Sequence, residues 1–197
     1  MALHDLLFIY DATADFAPLS RDDADVTIAH TGNWSDLVAD LKSRADDGHV
    51  FKRCVFTTHG APGSIFLGDG TAKEKPPKFK AGSVGASGFT KHADKGLCRL
   101  FPFPNARLFF NGCEVGAEPG GREFLYAAAS TWLKLSGGSA FAFTNNGYNL
   151  FGSAHVLHSF GTLVTATVGP GGQTVQPTPV VWPDDPRGGR LVGGQKF

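Results

Sequence analysis

The chain has no excess of charge of either sign: 18 basic side chains stand against 18 acidic ones. No cationic surplus exists to neutralise a row of phosphates, which argues against nucleic acid as a partner. No run of about 18 apolar residues occurs, so no membrane-spanning helix is expected. The opening segment, MALHDLLFIYDATAD, holds only a short apolar stretch that meets Asp11. It has neither a basic leader nor a long apolar region, so a signal peptide is not expected. A cytoplasmic location follows as the expectation, with export by a route that reads no such signal left open. Cysteine is sparse: Cys54, Cys98 and Cys113 make an odd number without paired spacing. A disulfide framework is not expected on that pattern, and at least one thiol stays free.

Glycine and proline, by contrast, are plentiful, with 26 and 12 copies in 197 residues. Much of the chain must therefore turn. Phenylalanine, at 17 copies, supplies an aromatic core. The length suits one domain large enough to bury its core without a metal or disulfide staple.

Apolar runs predict strands at Leu6–Tyr10, Val26–Ala29, Val50–Thr58, Ala106–Asn111, Ser139–Thr144 and Phe160–Val168, the last on an edge. A helix is expected after the cap candidates Asn33 and Ser35, with Trp34, Leu37, Val38 and Leu41 as its buried stripe. A second is expected over about 122–135, stopped by Gly137-Gly138, and a short one over 89–100. Ser64–Leu67 reads as a hairpin arm. The stretch from Gly68 to Gly88 reads as a mobile surface loop, and its KEKPPKFK piece as a solvated excursion. Alternating strands and helices predict an α/β fold, a three-layer α/β/α sandwich around a mainly parallel sheet. The domain is expected over 1–168, followed by a Gly/Pro-rich tail over 169–197.

In such sheets ligands sit at the carboxyl ends of the strands. His59-Gly60 follows one predicted strand directly, and Gly112-Cys113 follows another. A thiol nucleophile needs an imidazole to take its proton and main-chain N–H groups aimed at the developing oxyanion. Two adjacent strands ending in these residues meet both needs. The N–H groups of Gly60 and Cys113 are the candidate oxyanion donors. Asp11 and Asn145 fall at the same edge and are weaker candidates for substrate binding, since turn chemistry alone explains both. His155 and His158 lie three apart but lack further ligands at metal-site spacing, so no metal is expected. Cys54 and Cys98 read as packing.

The segments CVFTTHGAPGSIFLGDG and ARLFFNGCEVGAEPGGREFLYAAAS stand about fifty residues apart between their His and Cys. Together they resemble the caspase-like superfamily of cysteine peptidases. The blocks THGAPGSIFLG and NGCEVG…GG.EFL are more closely similar to bacterial members of the CHAT type, and to a related bacterial domain of unknown function. The resemblance covers Leu6 to Asn146, about seven-tenths of the chain. It implies a thiol protease, a hydrolase in which Cys113 is the nucleophile and His59 the general acid or base, acting on a protein or peptide substrate without a cofactor. Gly112 and Glu114 flank the cysteine, unlike the caspase pattern, so no preference for aspartate carries over. The superfamily also contains inactive relatives, so a binding or assembly module stands as the alternative, as does a secreted bacterial effector. Oligomeric state is not legible.

Overall fold

The computed structural model describes residues 1–12, 24–30, 33–67, 82–145, 147–149, 157–159, 162–175 and 190–192, the side chains of 147–149, 157–159 and 190–192 excepted. The first strand, β1 (Ala2–Asp11), is longer than its apolar run, because its polar first half still pairs with a neighbour. It is followed by β2 (Val26–His30), helix α1 (Trp34–Asp46) and β3 (His49–Thr57). A hairpin of β4 (His59–Ala61) and β5 (Ser64–Phe66) comes next, then β6 (Ser83–Val84) and helix α2 (Ala86–Thr90). After β7 (Ala106–Asn111) come α3 (Gly121–Trp132), β8 (Gly138–Phe143), β9 (Gly147–Asn149), β10 (Leu157–Ser159), β11 (Leu163–Val168), β12 (Thr174–Val175) and β13 (Arg190–Val192).

Seven strands form the central sheet in the order β12-β11-β8-β7-β3-β1-β2. From β2 to β8 all neighbours are parallel, while β11 and β12 add on antiparallel. The chain is thus an α/β protein with a mainly parallel sheet. Its strands read as near-continuous apolar runs, as buried parallel strands do. Two smaller sheets, β4-β5-β6 and β9-β10-β13, flank it.

The helices follow from local sequence. Asn33 caps α1 through Oδ1, which accepts from the N–H groups of Ser35 and Asp36. The Asp36 carboxylate answers by accepting from Asn33 N–H, completing a capping box. Trp34, Leu37, Val38, Leu41 and Ala45 repeat at helical spacing and all are buried. Trp34 stacks on Trp132 of α3 at 5.9 Å and donates through Nε1 to the carbonyl of Gly88 in α2. Residues from α1, α2 and α3 belong to one apolar cluster, built on Leu7, Ile9, Phe56, Leu108, Phe110 and Ala140 of the sheet. All three described α-helices therefore pack on one face. The opposite face carries a second cluster, including Leu6, Phe8, Val55, Phe109 and Phe143.

This arrangement follows from strand order. Passing from β2 to β3, then β7 and β8, the chain advances in one direction, and right-handed crossovers put every intervening helix on the same side. The step from β1 to β2 goes the other way, and Ala24, just before β2, packs on the opposite-face cluster. The sequence reverses direction between β1 and β3, and a crevice at the carboxyl ends is expected at such a switch point.

Three expectations change in detail. The helix expected over 89–100 is instead α2 and two short 3-10 turns, because Gly96 takes a left-handed conformation between them. The stretch expected to be loop as far as Gly88 returns to structure earlier: Val84 pairs with Ile65, and both Val84 and Phe89 are buried. Residues 68–81 lie outside the described residues. The tail rejoins the fold twice, β12 alongside β11 and β13 alongside β10, so β11 is not an edge strand. No helix among the described residues is long and apolar enough to cross a membrane.

Candidate active site

β3 and β7 are nearest neighbours, and their parallel register places Thr57 beside Asn111. His59 and Cys113 each stand two positions past this pair, at the same carboxyl rim. The two chains then remain together. A Cβ built on Gly60 would lie 2.8 Å from the Cys113 carbonyl oxygen and 3.2 Å from its nitrogen. One built on Gly112 would lie 3.2 Å from the Thr58 carbonyl oxygen and 3.4 Å from the Gly60 α-carbon. Glycine at both positions is what permits the two main chains to touch. The segment after His59 and the segment before Cys113 are thus packed backbone to backbone.

The histidine begins the β4–β5 hairpin, in register with Phe66. Thr58, buried just before it, donates from Oγ1 to the His59 carbonyl at 2.8 Å. His59 is half-buried, and its Nε2 is shielded from solvent. At the hairpin tip Gly63 donates its N–H to the Val115 carbonyl at 3.2 Å, so the arm carrying the imidazole is tied to the turn carrying the thiol. Gly63 has φ of 71°, and a side chain there would run into Gly120.

The cysteine turn is held from the other side as well. Glu114 N–H donates to the Asn145 carbonyl and Gly116 N–H to the Phe143 carbonyl, both at the end of β8. Glu114 itself has φ of 58°, uncommon for a residue with a side chain. Val115 is fully buried beneath the turn, touching Gly60 and Gly112. The peptide between Glu118 and Pro119 is cis, and Gly120 then leads into α3. Because α3 crosses back from the carboxyl rim, its positive end lies at that rim.

The three thiols differ in setting. Cys54 and Cys98 are buried, whereas Cys113 is half-exposed. Burial pushes the Cys54 thiol well above its ordinary range, which keeps it protonated and inert.

Asp11 ends β1 at the same rim, buried and in register with His30. His30 hydrogen bonds through Nε2 to the Asn33 carbonyl at 2.8 Å, joining β2 to the cap of α1. Asn145 is exposed, and its carbonyl serves the cysteine turn. The rim thus gathers His59, Gly60, Cys113, Asp11 and Asn145. The individual residues Thr58, Asn111, Val115 and His30 were not singled out by sequence. Thr58, Asn111 and His30 carried one signal, a polar side chain at a strand end, and Val115, in the turn after β7, carried none. Among the described residues no group of three or more His, Cys, Asp or Glu side chains converges as metal ligands do. His155 and the side chain of His158 lie outside the described residues.

Comparison of the chain with protein-family models, curated proteins and solved structures gives no match in any of the three.

Proposed function

We propose that the protein is a cysteine endopeptidase, a caspase-like three-layer α/β/α sandwich in which Cys113 and His59 act as a dyad on protein or peptide substrates. The observation that carries this reading is the backbone contact between Gly60 and Cys113 at the ends of neighbouring parallel strands. It brings a half-exposed thiol and an imidazole to one rim, at the carboxyl ends of the sheet's parallel strands.

The chemistry is acyl transfer. The His59 imidazole takes the proton from Cys113 Sγ, and the sulfur attacks the peptide carbonyl carbon. The carbonyl oxygen becomes an oxyanion, and the N–H groups of Gly60 and Cys113 are the donors we assign to it. As the tetrahedral species collapses the C–N bond breaks, and the imidazolium gives its proton to the leaving amine. Water, deprotonated by His59, then cleaves the thioester, releasing the carboxylic acid and restoring the thiol. No step calls for a cofactor. Asp11 and Asn145 are assigned to the walls of the substrate cleft.

A thiol-directed acylating peptide probe, run beside a positional peptide library, tests this. The expected result is a single labelled residue, Cys113, with labelling and cleavage both lost in Cys113→Ala and both strongly reduced in His59→Ala. Labelling spread evenly over the three cysteines of the folded protein would overturn the assignment. A folded protein that labels at Cys113 but cleaves no library member would favour a binding module.

A further inference from the structure

A second polar centre lies at the other end of the sheet. Arg53 of β3 and Arg107 of β7 are register partners, Arg107 pairs with Ser139 of β8, and Ser139 pairs with Thr167 of β11. Register partners project from the same face, so these four side chains form a polar row across the sheet. The face is the one the described helices leave clear. Val55 and Phe109, two residues further along β3 and β7, belong to its apolar cluster.

Two guanidinium groups directly opposite one another repel. Arg53 is relieved, since it forms an ion pair with Asp5. Asp25, fixed by accepting from the N–H groups of Asp5 and Leu6, lies within electrostatic range of Arg53 as well. Arg107 has no such partner among the described residues. It is half-buried, yet forms no hydrogen bond or ion pair among the described residues. A cation held half out of water without an anion is a costly arrangement unless something supplies one.

Two clefts meet at this residue. One, of about 600 Å³, is lined by Asp5, Lys52, Arg53 and Phe103, and the other, of about 510 Å³, by Ser136, Ser139 and Thr167. Asn105 and Arg107 line both. The Ser139 and Thr167 hydroxyls are bonded to each other at 2.8 Å, which leaves one O–H of the pair able to donate outward. Around the first cleft stand three cations, Lys52, Arg53 and Arg107, against one carboxylate, Asp5.

We propose that these clefts form one binding site for a small oxyanion of the phosphate class, anchored by Arg107. The guanidinium fork matches two oxygens of such a group, and Asn105 with the hydroxyl pair can reach others. A dianion fits the charge surplus better than a single carboxylate does. Phe103 and Pro104 beside it give an apolar wall for the organic part of an ester. The site sits near the amino end of β7, whereas Cys113 lies beyond its carboxyl end. This inference therefore stands apart from the peptidase reading, and either can fail alone.

The test is titration of the full chain with inorganic phosphate and, separately, with phenyl phosphate, ionic strength being held constant with sodium chloride. Amide chemical shifts and calorimetry are the readouts. The expected result is saturable binding, with shifts gathered at 105–107, 136–139 and 167–170. Arg107→Gln should weaken it about tenfold, the worth of one charged hydrogen-bonded contact, and Ser139→Ala by less. Tighter binding of phenyl phosphate would identify an ester as the ligand, and equal binding would identify the free anion. Shifts in the unaltered protein keep the test decisive should Arg107→Gln fold poorly. Absence of saturation, shifts scattered over the surface, or unchanged affinity in folded Arg107→Gln would overturn the site.

Discussion

Gly60 faces the main chain of Cys113 with no room for a methyl group between them. A Cβ there would come within 2.5 Å of Val115 Cγ2 as well as 2.8 Å of the Cys113 carbonyl oxygen. Gly60→Ala should therefore push the two turns apart, at a cost of about 1–3 kcal/mol, the usual range for overpacking. Thermal or denaturant unfolding reads the loss of stability. The rate of probe labelling at Cys113 reads the displacement, and it should fall by more than the fraction of unfolded protein explains. An unchanged labelling rate in a folded Gly60→Ala protein would separate the contact from the chemistry.

Thiol counting should distinguish the three cysteines. In the native protein an alkylating reagent at pH 8 should modify Cys113 quickly and leave Cys54 and Cys98 untouched, with all three reacting in denaturant. Mass spectrometry of the digested protein gives the count. Rapid native modification of Cys54 would contradict its burial.

The same Cys54 makes stability depend on pH in the alkaline range. Its folded-state value is raised well above the ordinary 9.0, through burial. Its contribution is complete below the unfolded thiol's value and is lost as pH climbs beyond it, because only the unfolded chain releases the proton. The fall in unfolding free energy above about pH 9 should be shallower in Cys54→Ala than in the unaltered protein. Denaturant melts at pH 7 to 10.5 measure both slopes.

Asp25 governs the acid side in the opposite sense. Main-chain donation from Leu6 and Asp5 holds its carboxyl below the ordinary 3.8, despite a smaller opposing effect of desolvation. Such a group adds stability above its unfolded value and loses it as pH falls through the lower folded value. Asp25 is well exposed, and after discount for solvent screening the effect is about 0.5 kcal/mol. Asp25→Asn should remove it, flattening the stability profile between pH 5 and 2 while leaving the alkaline limb alone.

Asn33→Ala should destabilise the protein by about 1 kcal/mol, because it removes the oxygen that accepts from Ser35 and Asp36 N–H. Asn33→Asp restores an acceptor and should recover most of the loss. Equal destabilisation by both variants would rule out capping as the cause.

Much of the fold could be read before any coordinates. β3 and β7 announce themselves as apolar, β-branched and aromatic runs, and each delivers its reactive residue directly, so the rim position of His59 and Cys113 was legible. The capped, striped α1 was equally plain. What stayed hidden depends on partners far along the chain. Ser83–Val84 is too short to show any period and is a strand only because Ile65 pairs with it. The first half of β1 reads as polar and is ordered by β3. Arg53 and Arg107 look like ordinary solvated cations until register sets them side by side. Glu114 gives no sign in one dimension that its φ will be positive. Which α/β topology results, and which face the helices take, follows from strand order, and composition does not encode that.

The parallel pairing of β3 with β7 also orders events in time. His59 and Cys113 belong to strands that become neighbours only after a loop of about fifty residues closes. Parallel pairing of this kind forms late and slowly. A ribosome must therefore finish β7 and its following turn before the imidazole has any sulfur to meet. During synthesis the first half of the chain emerges chemically silent.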